Sequence, residues 1–248
     1  MSASQQFILD RNMPETMLSV KDLRAGYGGK PVLQGATLAV AQGEIVAVIG
    51  RNGVGKSTLM KTLIGLISSM AGAISFAGRD ITGMEAFRRA QLGIGYVPQG
   101  RDVFPRMSVR ENLEVGEAMQ GRADPLAYEH VYQLFPILKE RARQPAGTLS
   151  GGQQQQLAIG RILIGGPQMI LLDEPSEGIQ PSIVQDIGRI IVNLNEHKGM
   201  TILFVEQNLD MIRAIAQRCY VMDKGRIIAE LKPHELEDRN TIRKYLAV

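Results

Sequence analysis

The sequence predicts an α/β protein built on a largely parallel sheet, with a helical insertion in its middle. Three observations carry that reading. Short apolar runs alternate with amphipathic helical stretches on both sides of the chain's centre. Between about residues 100 and 165 the pattern is helical only. A glycine-rich loop, GRNGVGKST at Gly50 to Thr58, lies between the apolar strand EIVAVI and the apolar helix TLMKTLIGLI. Loops of that kind, at the carboxyl ends of parallel strands, are where open α/β sheets bind ligands.

Residues 1–16 lack the charged start and apolar centre of a signal peptide and read as a loose tail. Strands are expected at Met17–Leu23, Thr37–Val40 and Glu44–Ile49, then a shorter pair at Ala73–Phe76 and Gly93–Val97. Helices follow at Val109–Met119, Pro125–Phe135 and Gly152–Ile164. The alternation then resumes with a strand at Met169–Leu172, a helix at Ser182–Asn195, a strand at Thr201–Val205 and a helix at Leu209–Ala216. Cys219–Met222 and Ile227–Glu230 are expected to pair as a hairpin across the turn-forming Asp223–Gly225.

The bulk numbers exclude several classes. A net charge of +3, from 28 basic and 25 acidic residues along 248, gives little support for nucleic-acid binding. Cys219 is the only cysteine, so no intrachain disulfide forms, which suits a reducing compartment. No apolar run approaches the roughly 18–20 residues that cross a bilayer. A cytoplasmic location is expected, with any membrane role reached through a partner.

The loop Gly50 to Thr58 fits G-x-x-x-x-G-K-[ST] in strand–loop–helix context, the phosphate-loop pattern. Gly50, Gly53 and Gly55 let the backbone wrap, so that successive N–H groups, Arg51, Asn52 and Val54 among them, point at a phosphate. Lys56 bridges β- and γ-phosphate oxygens, Ser57 offers a hydroxyl to Mg²⁺, and Thr58 completes the loop. The bland alternative is a glycine-rich turn with an incidental lysine. ILLDEP, Ile170 to Pro175, supplies the expected second half. Asp173 stands at a strand's carboxyl end to hold the Mg²⁺ shell. Glu174, next along and expected to face the other way, can polarise an attacking water. Alternatively, the strand merely ends in a solvated acid pair.

LSGGQQQQLAIGR, residues 149–161, looks at first like a polar tract, but its glutamines run into Leu157, Ala158, Ile159, Ile162, Leu163 and Ile164. It reads as a helix whose first turn follows two glycines and leaves N–H groups free for an anion.

GRNGVGKST, YVPQG, LSGGQ and ILLDEP, in that order, resemble the ABC-type ATPase domain over about residues 17–230. That resemblance implies a phosphate-loop ABC ATPase domain with a mostly parallel core sheet, an antiparallel β subdomain and an inserted helical subdomain. It would fill residues 17–248, the helical part covering about 100–165. It also implies ATP and Mg²⁺, and a head-to-tail dimer with each ATP between one phosphate loop and the other subunit's LSGGQ. Ser150, Gly151, Gly152 and Gln153 would then act in trans on the partner's γ-phosphate. For Gln154 to Gln156 a solvated face is expected. Tyr27 matches the aromatic that stacks on adenine, against a buried core tyrosine as the alternative. Gln99 matches the glutamine that touches Mg²⁺ and the attacking water, and GRDVFPRMSVRENL the surface that receives a membrane partner. SEGIQ, Ser176–Gln180, matches the loop that contacts the other subunit, with Gln180 where many members have Asp.

One departure is larger. Where the family usually presents a γ-phosphate-contacting histidine, VEQN puts Gln207. Its neutral hydrogen bond forfeits roughly 1 kcal/mol against a charge-assisted one. Gln207 and Glu174 are the expected catalytic pair. His130, His197 and His234 lie elsewhere and are expected on the surface. VEQN, YVPQGRDVF, LAIGR and IRKYL resemble the second ATPase subunit of branched-chain-amino-acid-type importers, and the finer wording is most similar to the branch for urea or short-chain amides. The implied partners are a second ATPase subunit (a homodimer in isolation being the alternative), two transmembrane permease subunits and, indirectly, a periplasmic solute-binding protein. The location would be peripheral, on the inner face of the membrane. The competing functions are branched-chain amino acid import, a non-transport ABC ATPase, and a regulatory nucleotide-binding module.

Overall fold

The computed structural model describes residues 15–119 and 124–246. The chain opens with β1 (Thr16–Tyr27), β2 (Lys30–Ala41), β3 (Ile45–Ile49) and α1 (Lys56–Ile64). It continues through β4 (Ser69–Phe76), β5 (Arg79–Asp80), α2 (Ala86–Gln91) and β6 (Ile94–Val97). Helices alone come next: α3 (Val109–Val115), α4 (Pro125–Leu134), α5 (Pro136–Glu140) and α6 (Gly151–Ile164). Then follow β7 (Met169–Asp173), α7 (Pro181–Lys198), β8 (Thr201–Val205), α8 (Leu209–Ile215), β9 (Arg218–Asp223), β10 (Arg226–Leu231) and α9 (Arg239–Leu246).

The main sheet has the order β10-β9-β3-β8-β7-β6 and is parallel except for the β9–β10 hairpin. A second, antiparallel sheet has the order β2-β1-β4-β5. This is the expected α/β fold. Every residue of β3, β7 and β8 is buried, which is why each reads as a nearly unbroken apolar run rather than an alternation. The two cores meet across β3. Ile45, Ala47 and Ile49 pack with α6, α7 and α8, while Val46 and Val48 pack with α1 and the antiparallel sheet.

Local chemistry fixes the helix ends. α6 starts in a capping box: the Ser150 side chain accepts from the Gln153 backbone N–H, and the Gln153 side chain accepts from the Ser150 backbone N–H. α7 starts with Pro181 at its first position and stops at Gly199, with φ 62°. The turn at Asp223–Gly225 is tied to the phosphate loop, because the Gly225 N–H donates to the Val54 carbonyl at 2.8 Å. Gly225 has φ 74°, and a Cβ there would stand 1.9 Å from the Val32 carbonyl oxygen, so only glycine allows this approach.

Several boundaries differ from expectation. β1 and β2 are 12 residues each, much longer than expected, because they pair with one another along one ladder whose register shifts at four places, which no single strand reveals. The helix expected over Val109–Met119 ends at Val115 and continues as a 3₁₀ turn, Gly116–Met119. Gly116 presses on α6, where a Cβ would lie 2.1 Å from the Arg161 carbonyl oxygen. The short helices α2, α5 and α9 lacked a periodic signal long enough to read. Most of the expected tail lies outside the described residues; Thr16 already belongs to β1, and the Glu15 carbonyl accepts from Gln42 N–H at 2.7 Å.

α1 owes its carboxyl end to a buried arginine. Arg89, 2% exposed, donates to the carbonyls of Thr62 and Leu63, both at 2.8 Å, and to those of Met84 and Thr82. Arg89→Ala leaves those acceptors unpaired beside a cavity. It is expected to lower the unfolding free energy by about 3 kcal/mol, read as a drop in the urea midpoint; an unchanged midpoint would show that water replaces the guanidinium.

Candidate functional site

The loop between β3 and α1 folds back on its own lysine. Gly53 and Gly55 take φ of 78° and 112°, and Lys56, the first residue of α1, is 4% exposed. Its ammonium donates to the carbonyls of Gly50 (2.9 Å) and Arg51 (3.1 Å) and lies 3.5 Å from Glu174 Oε1. Arg51, Asn52 and Gly53 are exposed at the loop's crest, while Val54 is buried beneath it and Thr58 inside α1.

The end of β7 meets this loop. Ser57 Oγ donates to Asp173 Oδ1 at 2.9 Å, and the Tyr96 hydroxyl donates to Asp173 Oδ2 at 3.2 Å. Asp173 is 1% exposed; burial raises its pKa even though both hydrogen bonds pull it down. Burial and the Asp173 carboxylate likewise hold the Tyr96 phenol above its usual value, so it stays protonated. A carboxylate beside a hydroxyl is a hard oxygen donor set that fits Mg²⁺.

Glu174 does not face away from Asp173. Its φ of 48° turns the chain back, breaking the strand alternation, so Glu174 reaches Lys56 while Asp173 reaches the adjoining Ser57. Gln207 Nε2 donates to Glu174 Oε1 at 3.0 Å and to Asn52 Oδ1 at 2.6 Å. Gln99 Nε2 donates to Glu177 Oε2 at 2.9 Å and to Glu174 Oε2 at 3.4 Å. A cavity of about 630 Å³ joins the loop residues Asn52, Gly53, Gly55, Lys56, Ser57 and Thr58 to Gln99, Glu174 and Gln207. That volume suits a nucleotide-sized ligand.

Other expected site residues lie outside this lining. Tyr27 ends the β1–β2 hairpin 54% exposed, so it is not a core tyrosine; Val32 of the same hairpin lines the cavity instead. Ser150, Gly151, Gly152 and Gln153 form the start of α6, away from the cavity lining. The glutamines after them are not a solvated face. Gln155 is 3% exposed, Gln154 Nε2 donates to the Ala146 carbonyl, and only Gln156 remains a half-open wall of a neighbouring groove. His197 and His234 are exposed, but His130 is half-buried, and burial with nearby Lys198 lowers its pKa.

Two groups in the cleft escaped sequence reasoning. Glu206, 3% exposed, accepts from the backbone N–H groups of Ser176, Gln207 and Asn208, and so ties the loop after β7 to the loop after β8. Tyr96 stands inside YVPQG beside the noticed Gln99. The signal for Glu206 was an acid directly after an unbroken apolar strand, TILFV.

The ABC transporter family matches residues 33–177, from β2 through the loop after Glu174. The chain belongs to this family. It is an ABC ATPase and hydrolyses ATP. The high-affinity branched-chain amino acid transport ATP-binding protein BraG of Pseudomonas aeruginosa is 43% identical, over 86% of this chain and 91% of its own. The lipopolysaccharide export system ATP-binding protein LptB of Escherichia coli is 36% identical, over 92% and 96%. A probable branched-chain amino acid transport ATP-binding protein, LivF of Archaeoglobus fulgidus, is 33% identical, over 92% and 97%. Among solved structures, a nucleotide-free ATP-binding cassette from an ABC transporter matches with a TM-score of 0.80 at 30% identity, over 92% of this chain and 97% of that one. Among the described residues of the ATPase, no helix is long and apolar enough to cross a membrane.

Because Asp173 is a buried charge held by neutral donors alone, Asp173→Asn is expected to keep or raise the thermal midpoint of the ATPase by about 2–4 °C. The same variant should lose the Mg²⁺-dependent part of ATP binding. A lower midpoint with Mg²⁺ dependence intact would remove Asp173 from the metal position.

Proposed function

We propose that the chain is the ATP-hydrolysing subunit of a membrane importer for branched-chain amino acids. The observation that carries the ATPase half of this reading is the meeting of two segments in one cavity: Ser57 on Asp173 at 2.9 Å and Lys56 on Glu174 at 3.5 Å. Lys56 leaves the carbonyls of Gly50 and Arg51 for the β- and γ-phosphates, and Ser57, Asp173 and Gln99 hold Mg²⁺, which when bound neutralises phosphate charge. Arg51, Asn52 and the glycines cradle the phosphates, and Tyr27 stacks on the base. Glu174 polarises the attacking water, held by the Gln207 amide. Ser150 to Gln153, with the free N–H groups of α6, serve the ATP of a partner subunit.

Relatives support the importer half. BraG and LivF are both named for branched-chain amino acid transport, which favours that solute over the urea or short amides expected from the motif wording. LptB, at 36%, supports a second reading as an export ATPase. The neutral amide at Gln207 supports pairing with a second, different ATPase subunit. Exposed Phe104, whose backbone is clamped by the buried Asn112 amide at 2.8 and 3.0 Å, belongs to the surface offered to two permease subunits. The single domain spans residues 17–248 with a helical part at about 100–165, and it sits on the inner face of the membrane. Co-purification from native membranes tests the assembly: permeases and a branched-chain amino acid support it, whereas lipopolysaccharide export proteins favour the second reading.

Lys56→Ala is expected to weaken MgATP binding by about a hundredfold or more, since it removes the buried charge aimed at the phosphates. Fluorescent ATP titration measures it, and unchanged affinity would make Gly50–Ser57 a structural turn. Glu174→Gln should leave that affinity intact and lower steady-state turnover about a hundredfold or more. Normal turnover in the assembled complex would place the base elsewhere.

A further inference from the structure

Arg101 makes a set of contacts that none of the roles above uses. It follows Gln99 by two residues, in a run where Gly100, Arg101 and Asp102 all have left-handed φ, of 84°, 76° and 45°. Two consecutive non-glycine residues in that region must be held there by their surroundings. The restraints are visible. Arg101 Nη2 donates to the carbonyls of Glu177 (2.9 Å) and Gly178 (3.3 Å), in the loop after Glu174. The guanidinium lies against Gly151, the first residue of α6: a Cβ built there would stand 3.1–3.2 Å from its Nη1, Cζ and Nη2. The neighbouring Asp102 carbonyl accepts from Arg161 Nη2, on the same α6, at 2.9 Å.

Arg101 forms no ion pair among the described residues. Its part is geometric: a flat, five-donor fork laid on a bare glycine while gripping two carbonyls. The loop carrying Gln99 is thereby fixed to α6 at both Gly151 and Arg161. Through Arg101 it is also fixed to the loop carrying Glu174 and Glu177. Gln99 adds a parallel tie, donating to Glu177 at 2.9 Å.

We propose that Arg101 is a positioning residue that makes the start of α6 follow the loop after Glu174, so that ATP held at Lys56 and Glu174 changes the Ser150–Gln153 face offered to a partner. This rests on the proposed roles of Lys56 and of Ser150–Gln153. It adds the physical link between them inside one subunit: cavity, Glu174 loop, Arg101, Gly151. A lysine at 101 keeps the charge and can reach one carbonyl, but it cannot lie flat on Gly151.

The test is amide hydrogen exchange on the full-length chain with and without MgATP, at concentrations where light scattering shows a monomer. In the wild type, MgATP is expected to slow exchange at residues 149–153 by about threefold or more, within the usual range of coupling between sites. Arg101→Ala should abolish that slowing while fluorescent-ATP affinity changes by less than about twofold, and Arg101→Lys should restore only part of it. Unchanged exchange at β3 amides in each variant shows that the fold is intact. The link is overturned if Arg101→Ala keeps the slowing, if the wild type shows none, or if Arg101→Lys restores it fully. A large loss of ATP affinity in Arg101→Ala would also overturn it, by moving Arg101 into the nucleotide site. ATP binding that survives Lys56→Ala would instead sink the reading of the cleft on which the link rests.

Discussion

The buried Lys56 ammonium is the constraint around which the rest is arranged. A lone ammonium taken out of water costs several kcal/mol, and it sits at the amino end of α1, where the helix dipole is also positive. Carbonyls of Gly50 and Arg51 and the Glu174 carboxylate offset that cost. They do so only because β3 ends where β7 and β8 also end, so three loops reach one point. Parallel order gives that convergence: β3 pairs with β8 and β8 with β7, in register from Ile45–Ile202 and Met169–Thr201. Glu174, Glu177 and Glu206 line the same cavity as this ammonium, and Asp173 is bonded to Ser57 beside it. A polyphosphate entering this cleft adds more negative charge to carboxylates already gathered there.

Contiguous chemistry was legible in the sequence. The phosphate loop and the Asp173–Glu174 pair each lie within one short segment, and strand–loop–helix context gives them meaning. Glu206 and Tyr96 were not legible as site residues because the partner that ties each to a second segment is distant: Ser176 is 30 residues from Glu206, and Asp173 is 77 from Tyr96. The orientation of Glu174 was misread because strand alternation holds only while φ stays in the extended region, and it fails at the first left-handed residue. The glutamine run illustrates a different limit. Polarity suggested solvent, yet helical spacing puts Gln155 in line with Gly152, Ala158 and Ile159, all buried. A third glutamine in a row says less than its place on the helix.

The same spacing explains how the face of α6 is shaped. Gly152 lies on its buried side, and a Cβ there would meet Ile183 Cγ2 of α7 at 2.7 Å. Gly151, one residue earlier, turns toward Arg101 instead. Two adjacent glycines therefore have two different steric duties, one toward the core and one toward the loop after β6. Ser150 supplies the cap, so a helix N-terminus is presented with its first N–H groups free and its backbone fixed on two sides.

Gln207 shows what a neutral side chain can do just beyond the end of β8. Its Nε2 has two hydrogens, and both are engaged, one by Asn52 Oδ1 and one by Glu174 Oε1. A neutral imidazole has one N–H to offer and could hold only one of these acceptors. The amide thus joins the crest of the Gly50–Thr58 loop to the Glu174 carboxylate, and it does so without a charge that changes with pH. The bond to Asn52 is neutral and worth about 1 kcal/mol, whereas the one to the Glu174 carboxylate is assisted by the acceptor's charge and worth more. Glu174 is held by three contacts: Lys56 and Gln207 on Oε1 and, at longer range, Gln99 on Oε2. The amides of Gln207 and Gln99 thus hold the carboxylate from both of its oxygens.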